Sequence, residues 1–354
     1  MAKRKKQDKV DYTDKSIDEV LVDIRKRFGS SSVRRMDDVS SKETADVIST
    51  GSLWLDEALG IGGLPRGRIV EIMGSEGGGK TTISLHCIAE AQRAGGNALF
   101  IDAENALDMP FATKIGVDPS KLVLSQPDSG EQALDVLEMG IASGKFAIAV
   151  VDSVSALVPQ AELDGDMGAS HMGLQARLMG QALRKINNVV SRTNTLVIFI
   201  NQIRMKIGVM WGSPETTSGG QALKFFASIR LDIRRIGAIK VGERIIGNKV
   251  KVKIVKNKLA APFREIETDL IFGSGFSKES ELLQMADEHE IIEIAGASYR
   301  YHKNKFAKSK ILAIEALKTN RDLYDSILAD LRMAQTDPNK DVEEKEEVTG
   351  NKDE

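Results

Sequence analysis

From Ile69 onward, short continuous apolar runs alternate with longer stretches whose apolar residues recur at helical spacing. The runs Ile69 to Met73, Ala98 to Asp102, Leu122 to Ser125, Phe146 to Asp152 and Thr195 to Asn201 predict strands buried on both faces. The periodic stretches Thr81 to Arg93, Glu131 to Ser143 and Leu174 to Ser191 predict helices between them. That alternation implies an α/β fold with a mostly parallel, twisted sheet and helices on both faces. Ile229 to Ile236 and Lys249 to Val255 alternate apolar with polar residues instead, as antiparallel strands at a sheet edge do. A ligand of such a sheet binds outside the carboxyl ends of its strands.

The flanks read differently. Ser16 to Phe28 opens with the capping-box pattern Ser-Ile-Asp-Glu and sets Ile17, Val20, Leu21, Ile24 and Phe28 on one stripe. This short amphipathic helix packs on its own domain or on a neighbouring molecule, and local pattern does not separate the two. Glu279 to Glu293 and Lys310 to Met333 read as helices of a small second domain. Between them, Tyr299 to Lys305 is basic and aromatic, a nucleic-acid contact or a solvated turn. The boundaries are therefore 1–49 for a basic tail, helix and linker, 50–276 for the core, 277–336 for the small domain and 337–354 for an acidic tail.

Formal net charge is only -2 in 354 residues, so total charge neither proposes nor excludes a nucleic-acid partner. Its distribution is more informative. Lys3, Arg4, Lys5, Lys6 and Lys9 crowd the first residues, and Asp337 to Glu354 holds eight acidic and three basic residues. Both ends have the composition of disordered, solvated segments. The acidic one either aids solubility or competes with DNA for basic surface. The single cysteine, Cys87, excludes an internal disulfide and suits a reducing compartment. Four scattered histidines and one cysteine give no zinc-ligand spacing. The basic start lacks the apolar core of a secretory signal, and no apolar stretch is long enough to span a bilayer. A cytoplasmic protein with no membrane partner is expected.

The sharpest local signal is Gly74-Ser75-Glu76-Gly77-Gly78-Gly79-Lys80-Thr81, set between an apolar strand and a helix start at Thr82. Glycines let successive backbone N–H groups turn inward on an anion, and the following helix adds its positive dipole end. Lys80 is placed to reach nucleotide phosphates and the Thr81 hydroxyl to bind Mg²⁺. Asp152 ends an apolar strand where a carboxylate would hold that metal. Glu104 follows Asp102 by two residues, and either one could orient an attacking water as general base. Gln202 ends the next strand, where an amide could sense a γ-phosphate and release a loop when it leaves. Two long glycine-bearing segments, Ala156 to Gly173 and Ile203 to Gly220, leave strand ends that face this site. Loops of such length are usually functional or disordered.

The run Gly62-Gly63-Leu64-Pro65-Arg66-Gly67-Arg68-Ile69-Val70-Glu71-Ile72, the phosphate loop, Phe100 to Glu104, Asp152 to Leu157, His171 to Arg177 and Asn201 to Met210 together resemble bacterial RecA recombinases. The likeness extends from about Ile17 to Met333. It implies a P-loop NTPase core of RecA type with an N-terminal helical arm and a small α+β C-terminal domain. It also implies a DNA-dependent ATPase that uses ATP and Mg²⁺, polymerises as a helical filament on single-stranded DNA and pairs it with homologous duplex. Promotion of LexA repressor self-cleavage comes with the family. In that reading Glu104 is the catalytic base, with Lys80 and Gln202 assisting, and Thr81 and Asp152 hold the metal. Thr82, Asp108 and Phe111 join the phosphate loop at the nucleotide, and Lys256 and Lys258 reach the ATP of the adjacent subunit. The two long segments become DNA-binding loops, carried by Met172, Arg177, Arg184, Arg204, Met205, Lys206, Gly208, Val209, Trp211, Gly219 and Gly220. The Ser16 to Phe28 helix becomes a polymerisation arm on a neighbour.

Three departures from the family pattern stand out. Phe111 occupies the place of a tyrosine that stacks on adenine, Trp211 replaces a phenylalanine, and Gly77 and Gly78 stand where serines are frequent. Two other readings share the phosphate loop: a ring-shaped motor that translocates on DNA, and a scaffold that binds ATP only to polymerise.

Overall fold

The computed structural model describes residues 12–30, 32–33, 35, 46–166, 171, 173–205 and 214–335. The basic and acidic tails, and the calls on Met172, Lys206, Gly208, Val209 and Trp211, lie outside the described residues. The chain divides into two compact units, Met1–Asp46 and Val47–Glu354. Among the described residues the first contains one helix, α1 (Ile17–Phe28), in which Ser16 and Glu19 form the capping box read from the sequence. None of its residues is buried.

The second unit runs β1 (Val47–Ile48), α2 (Leu53–Ala58), β2 (Leu64–Pro65), β3 (Ile69–Gly74), α3 (Lys80–Arg93), β4 (Asn97–Asp102), α4 (Met109–Ile115), β5 (Leu122–Ser125), α5 (Gly130–Ala142) and β6 (Phe146–Asp152). It continues through α6 (Gln160–Leu163), α7 (Leu174–Thr193), β7 (Leu196–Met205), β8 (Glu215–Thr217), α8 (Ala222–Phe226), β9 (Ile229–Val241), β10 (Arg244–Asn257), β11 (Glu265–Ile271) and β12 (Gly275–Phe276). A smaller part follows: α9 (Lys278–Glu288), β13 (Ile292–Ala295), β14 (Ser298–Tyr301), β15 (Asn304–Ala307), α10 (Lys310–Thr319) and α11 (Arg321–Gln335).

The main sheet has the order β12-β11-β10-β9-β3-β7-β6-β4-β5, with β8 added to β7. All pairings from β9 to β5 along this path are parallel, and those from β9 to β12 are antiparallel. Strand side chains alternate between two cores. Ala98 and Phe100 join α3 and α4 in one cluster, while Leu99 and Ile101 join α5 and α7 in the other. A strand buried on both faces therefore reads as a continuous apolar run despite its two-residue period. This is the α/β core with a mostly parallel sheet that the sequence predicts.

Several boundaries differ from the sequence reading. β9 is interior rather than at an edge: it runs parallel to β3 on one side and antiparallel to β10 on the other. Alternation records which side chains are buried and says nothing about strand direction. β7 continues past Asn201 to Met205 because β8 pairs with its end, Ile203 opposite Thr217 and Met205 opposite Glu215. Gln202 thus lies within a strand rather than opening a loop. The helix read over Glu279 to Glu293 stops at Glu288, Glu290 takes a left-handed φ of 59°, and Ile292 begins a strand. The segment Lys310 to Met333 is two helices, broken at Asn320, whose side chain accepts from Leu323 N at 3.1 Å. Tyr299 to Lys305 forms the hairpin of β14 and β15 over a third core that includes Leu282, Ile292, Tyr299 and Ile327.

Candidate nucleotide and nucleic-acid site

The fully buried strand β3 delivers the phosphate loop to the carboxyl end of the sheet. The loop's geometry depends on glycine at its ends. A Cβ on Gly74 would stand 2.1 Å from the carbonyl oxygen of Ile233, and Gly79 begins α3 with a left-handed φ of 96°. Only a residue without a side chain passes β9 this closely and turns this way. Lys80 folds back over the loop, its Nζ donating to Ser75 O at 2.8 Å. Burial lowers the pKa of this ammonium, and the charges of Asp152, Glu104 and Glu76 oppose that shift.

Next to the loop, the Thr81 hydroxyl donates to Asp152 Oδ2 at 2.7 Å. Burial pushes the Asp152 pKa up to about 6, the Thr81 hydrogen bond opposes this, and the nearby Glu104 and Asp102 carboxylates add to it. Crowded carboxylates beside a hydroxyl form a hard-oxygen donor set that fits Mg²⁺. Among the described residues no three His, Cys, Asp or Glu side chains converge on a metal position. A Mg²⁺ held largely by nucleotide phosphates and water needs only one or two protein oxygens.

Strand β4 brings Asp102 and Glu104 to the same edge. Asp102 is 2% exposed, and its carboxylate accepts from Ala106 N at 3.1 Å, Leu107 N at 3.2 Å and Gln126 Nε2 at 3.2 Å. Its oxygens shape the following loop. Glu104 is exposed, and its Oε1 accepts from Gln202 Nε2 at 3.0 Å and from the Ser153 hydroxyl. Lys80, Thr81, Asp152, Glu104 and Gln202, far apart in sequence, are thus one cluster across β3, β6, β4 and β7.

A cavity of about 320 Å³ lies beside it, lined by residues of the phosphate loop and α3 together with Phe111, Asn248, Leu270, Ile271, Phe272 and Gly273. Its size suits a small-molecule ligand. Asn248 is 9% exposed, and its buried Oδ1 has no hydrogen-bond partner among the described residues. An orphan acceptor in a cavity with two phenylalanines fits a flat ligand bearing an amino or hydroxyl donor, as a nucleotide does. Asp108 caps α4, accepting from Phe111 N at 3.0 Å. Asn248 and Phe272 were missed in the sequence, since neither sits in a motif. Lys256 and Lys258 do not line this cavity. Lys256 Nζ donates to Lys224 O at 2.7 Å, and both lysines reach Phe225 O at the end of α8.

A family model described as the RecA N-terminal domain matches residues 15–277. The chain is similar to Protein RecA of Laribacter hongkongensis (strain HLHK9), with 54% identity over 320 residues, 90% of each chain. It is similar also to Protein RecA of Acidiphilium cryptum (strain JF-5), with 55% identity over 313 residues, 88% of this chain and 91% of that one. The chain belongs to the RecA family.

The described residues among those that the RecA resemblance assigns to DNA fall around α7 and the end of β7. Arg177 and Arg184 are exposed on α7, and Arg204 and Met205 are exposed at the end of β7. Gly219 and Gly220, both at left-handed φ, press against Met179 and Ala176 of α7. A residue not singled out in the sequence ties these segments together. Gln175 Nε2 donates to Val154 O at 2.8 Å and Leu157 O at 3.2 Å, while its Oε1 accepts from Gly219 N at 3.2 Å. The start of one long segment and the end of the other therefore share a single amide.

Proposed function

We propose that this chain is a DNA-dependent ATPase that polymerises on single-stranded DNA and catalyses homologous pairing and strand exchange with duplex DNA. The observation that carries the proposal is the junction at Gln202. Its amide holds Glu104 at the phosphate-loop edge, while its own strand runs on through Arg204 and Met205 towards the second long segment. The carboxyl end of one strand therefore carries both a residue at the candidate nucleotide site and, two and three residues further on, residues that the RecA resemblance assigns to DNA.

The chemistry follows from the residues. The phosphate-loop amides and Lys80 bind the triphosphate, and Thr81 and Asp152 hold Mg²⁺, which supplies charge neutralisation when bound. Glu104 orients the attacking water. The exposed Glu104 suits this role better than Asp102, whose oxygens are already engaged. Gln202 couples the occupant of the site to the DNA-facing segments, an order-to-disorder switch of known type. Lys256 and Lys258, outside their own cavity, serve the nucleotide of an adjacent subunit. Self-assembly is further supported by β5, an edge strand of the main sheet on which Val123 and Leu124 are exposed, and by the apolar stripe of α1, of which Ile17 and Phe28 are exposed. We infer also that the filament promotes cleavage of a LexA-type repressor in the cytoplasm. Among the described residues no helix is long and apolar enough to cross a membrane.

The test is to mix purified protein with circular single strands, homologous linear duplex, ATP and magnesium. Joint molecules on a gel are expected, and Lys80→Ala is expected to abolish them with the fold intact. Normal pairing by that variant refutes the assignment. Closed hexamers that unwind duplex without pairing would favour a ring-shaped motor instead.

A further inference from the structure

Glu104 presents a mechanical problem. It is an exposed glutamate just past a strand end, and such a side chain is free to sample many rotamers. A group that orients a water must be held within a fraction of an ångström by neighbours whose own rotamers are locked. Gln202 supplies one donor at 3.0 Å, but Gln202 is itself only half-buried and belongs to the strand that leads to the DNA-facing segment. It cannot be the fixed reference if it also moves with the nucleotide.

The second donor is different. Ser153 is 0% exposed, directly follows Asp152, and donates its hydroxyl to the same Glu104 oxygen, Oε1. Its Oγ also lies 2.6 Å from the Ser155 hydroxyl. A hydroxyl has one proton to donate. With the Ser153 proton spent on Glu104, the contact with Ser155 is satisfied only if Ser155 donates to Ser153. The order is therefore Ser155 to Ser153 to Glu104, a chain in which each bond polarises the next. Backbone contacts hold the two strand ends together, with Ala103 N and Glu104 N donating to Asp152 O at 2.8 and 3.3 Å. Among the described residues no hydrogen bond reaches Glu104 Oε2, which leaves that oxygen for water.

The geometry points to Ser153, backed by Ser155, as the positioning residue that fixes Glu104 for hydrolysis while Gln202 is released. The inference rests on the reading of Glu104 as the water-orienting base. It differs from that reading in assigning the fixed support to the strand that carries Asp152 rather than to the strand that carries Gln202.

DNA-stimulated ATP hydrolysis by the full chain tests it, with Ser153→Ala, Glu104→Ala and the double variant compared. Binding of a fluorescent ATP analogue and a thermal melt report site and fold. Ser153→Ala is expected to lower kcat about tenfold, within the roughly 10²- to 10⁴-fold that a positioned base contributes. KM for ATP and analogue binding are expected to stay within about twofold, because the hydroxyl touches the base and not the phosphate loop. In the Glu104→Ala background, Ser153→Ala is expected to cost nothing further, since a residue acting through another cannot act in its absence. Ser155→Ala, at a half-buried position, is expected to give a smaller loss of the same kind and serves if Ser153→Ala does not fold. Wild-type kcat in Ser153→Ala, or losses that multiply in the double variant, overturns the inference while leaving Glu104 as base. Wild-type kcat in Glu104→Ala removes the base reading and this inference with it.

Discussion

Replacing Glu281 with glutamine probes how the small C-terminal part is fastened to the core. The Glu281 carboxyl, on the first turn of α9, is 3% exposed. It accepts from Ser52 Oγ at 2.9 Å, from Leu53 N at 2.7 Å and from the Thr268 hydroxyl, so it joins α9 to the start of α2 and to β11. Burial is the dominant influence and pushes its pKa from 4.5 to about 7, with its hydrogen-bond donors opposing. A carboxyl whose folded-state pKa lies above its unfolded value is protonated in the native state where the unfolded chain has already lost the proton. Stability then falls as pH rises through that interval. At about 1.4 kcal/mol per pH decade the group accounts for roughly 3 kcal/mol of native stability, fully present below pH 4.5 and lost above about pH 7. Glutamine has no such dependence, but its amide NH₂ must face at least one of the donors, at a cost of roughly 1–3 kcal/mol at every pH. Urea unfolding of both proteins from pH 5 to 8 measures the difference. The variant is expected to be clearly less stable at pH 5, with the gap closing by roughly 2 to 3 kcal/mol by pH 8. Asp56, with a pKa pushed up to about 6, and His86, with one pushed down to about 4, also titrate near this range. They are common to both proteins, and His86 acts with the opposite sign, so the difference isolates Glu281. A gap that stays constant from pH 5 to 8 would mean that Glu281 remains ionised in the native state, and would refute the reasoning.

The other expectations use the same logic of buried polar groups. Glu71 is 0% exposed and paired with Arg230 at 2.5 Å, so Arg230→Met leaves a buried carboxylate without its cation and is expected to cost roughly 3–5 kcal/mol in urea unfolding. Tyr301→Phe removes a 2.7 Å hydrogen bond to Asp330 that joins β14 to α11, with an expected loss of about 1 kcal/mol by calorimetry. Removal of the chain from Asp337 onward is expected to speed duplex DNA binding most at low salt, because eight acidic residues no longer compete with phosphate. An unchanged salt dependence would leave solubility as that segment's role.

What the sequence disclosed and what it withheld divide along physical lines. The parallel strands were legible because burial on both faces demands apolar residues at every position, as in Ala98 to Ile101, whose side chains feed two cores in turn. The phosphate loop was legible because its start passes so close to Ile233 that a Cβ on Gly74 would stand 2.1 Å from a backbone oxygen, and only glycine has none. The end of β7 was not, since Ile203 to Met205 become strand only through pairing with Glu215 to Thr217, and no local pattern encodes a distant partner. The helix breaks at Asn320 and near Glu290 were hidden by apolar residues that continue at helical spacing across the turns. Asn248 and Phe272 illustrate the same limit at the site. Each is one polar or aromatic residue in the β10 to β12 region, and only sheet order places them over a loop encoded far upstream.

The same long-range closure links the site to the small C-terminal part. Phe272 and Gly273 form the turn between β11 and β12 and wall the cavity. Three residues further on, Phe276 N donates to His86 Nε2 at 3.0 Å, and Lys278 at the start of α9 pairs with Glu90. His86 and Glu90 are one turn apart on α3, the helix that begins with Lys80 and Thr81. A turn touching the cavity on one side and leading directly into α9 on the other is braced against the helix whose first residues belong to the phosphate loop. Burial, the largest cause, keeps the His86 pKa down at about 4. At neutral pH its ring is therefore uncharged and able to accept from Phe276, so this brace is intact under the conditions in which nucleotide would bind.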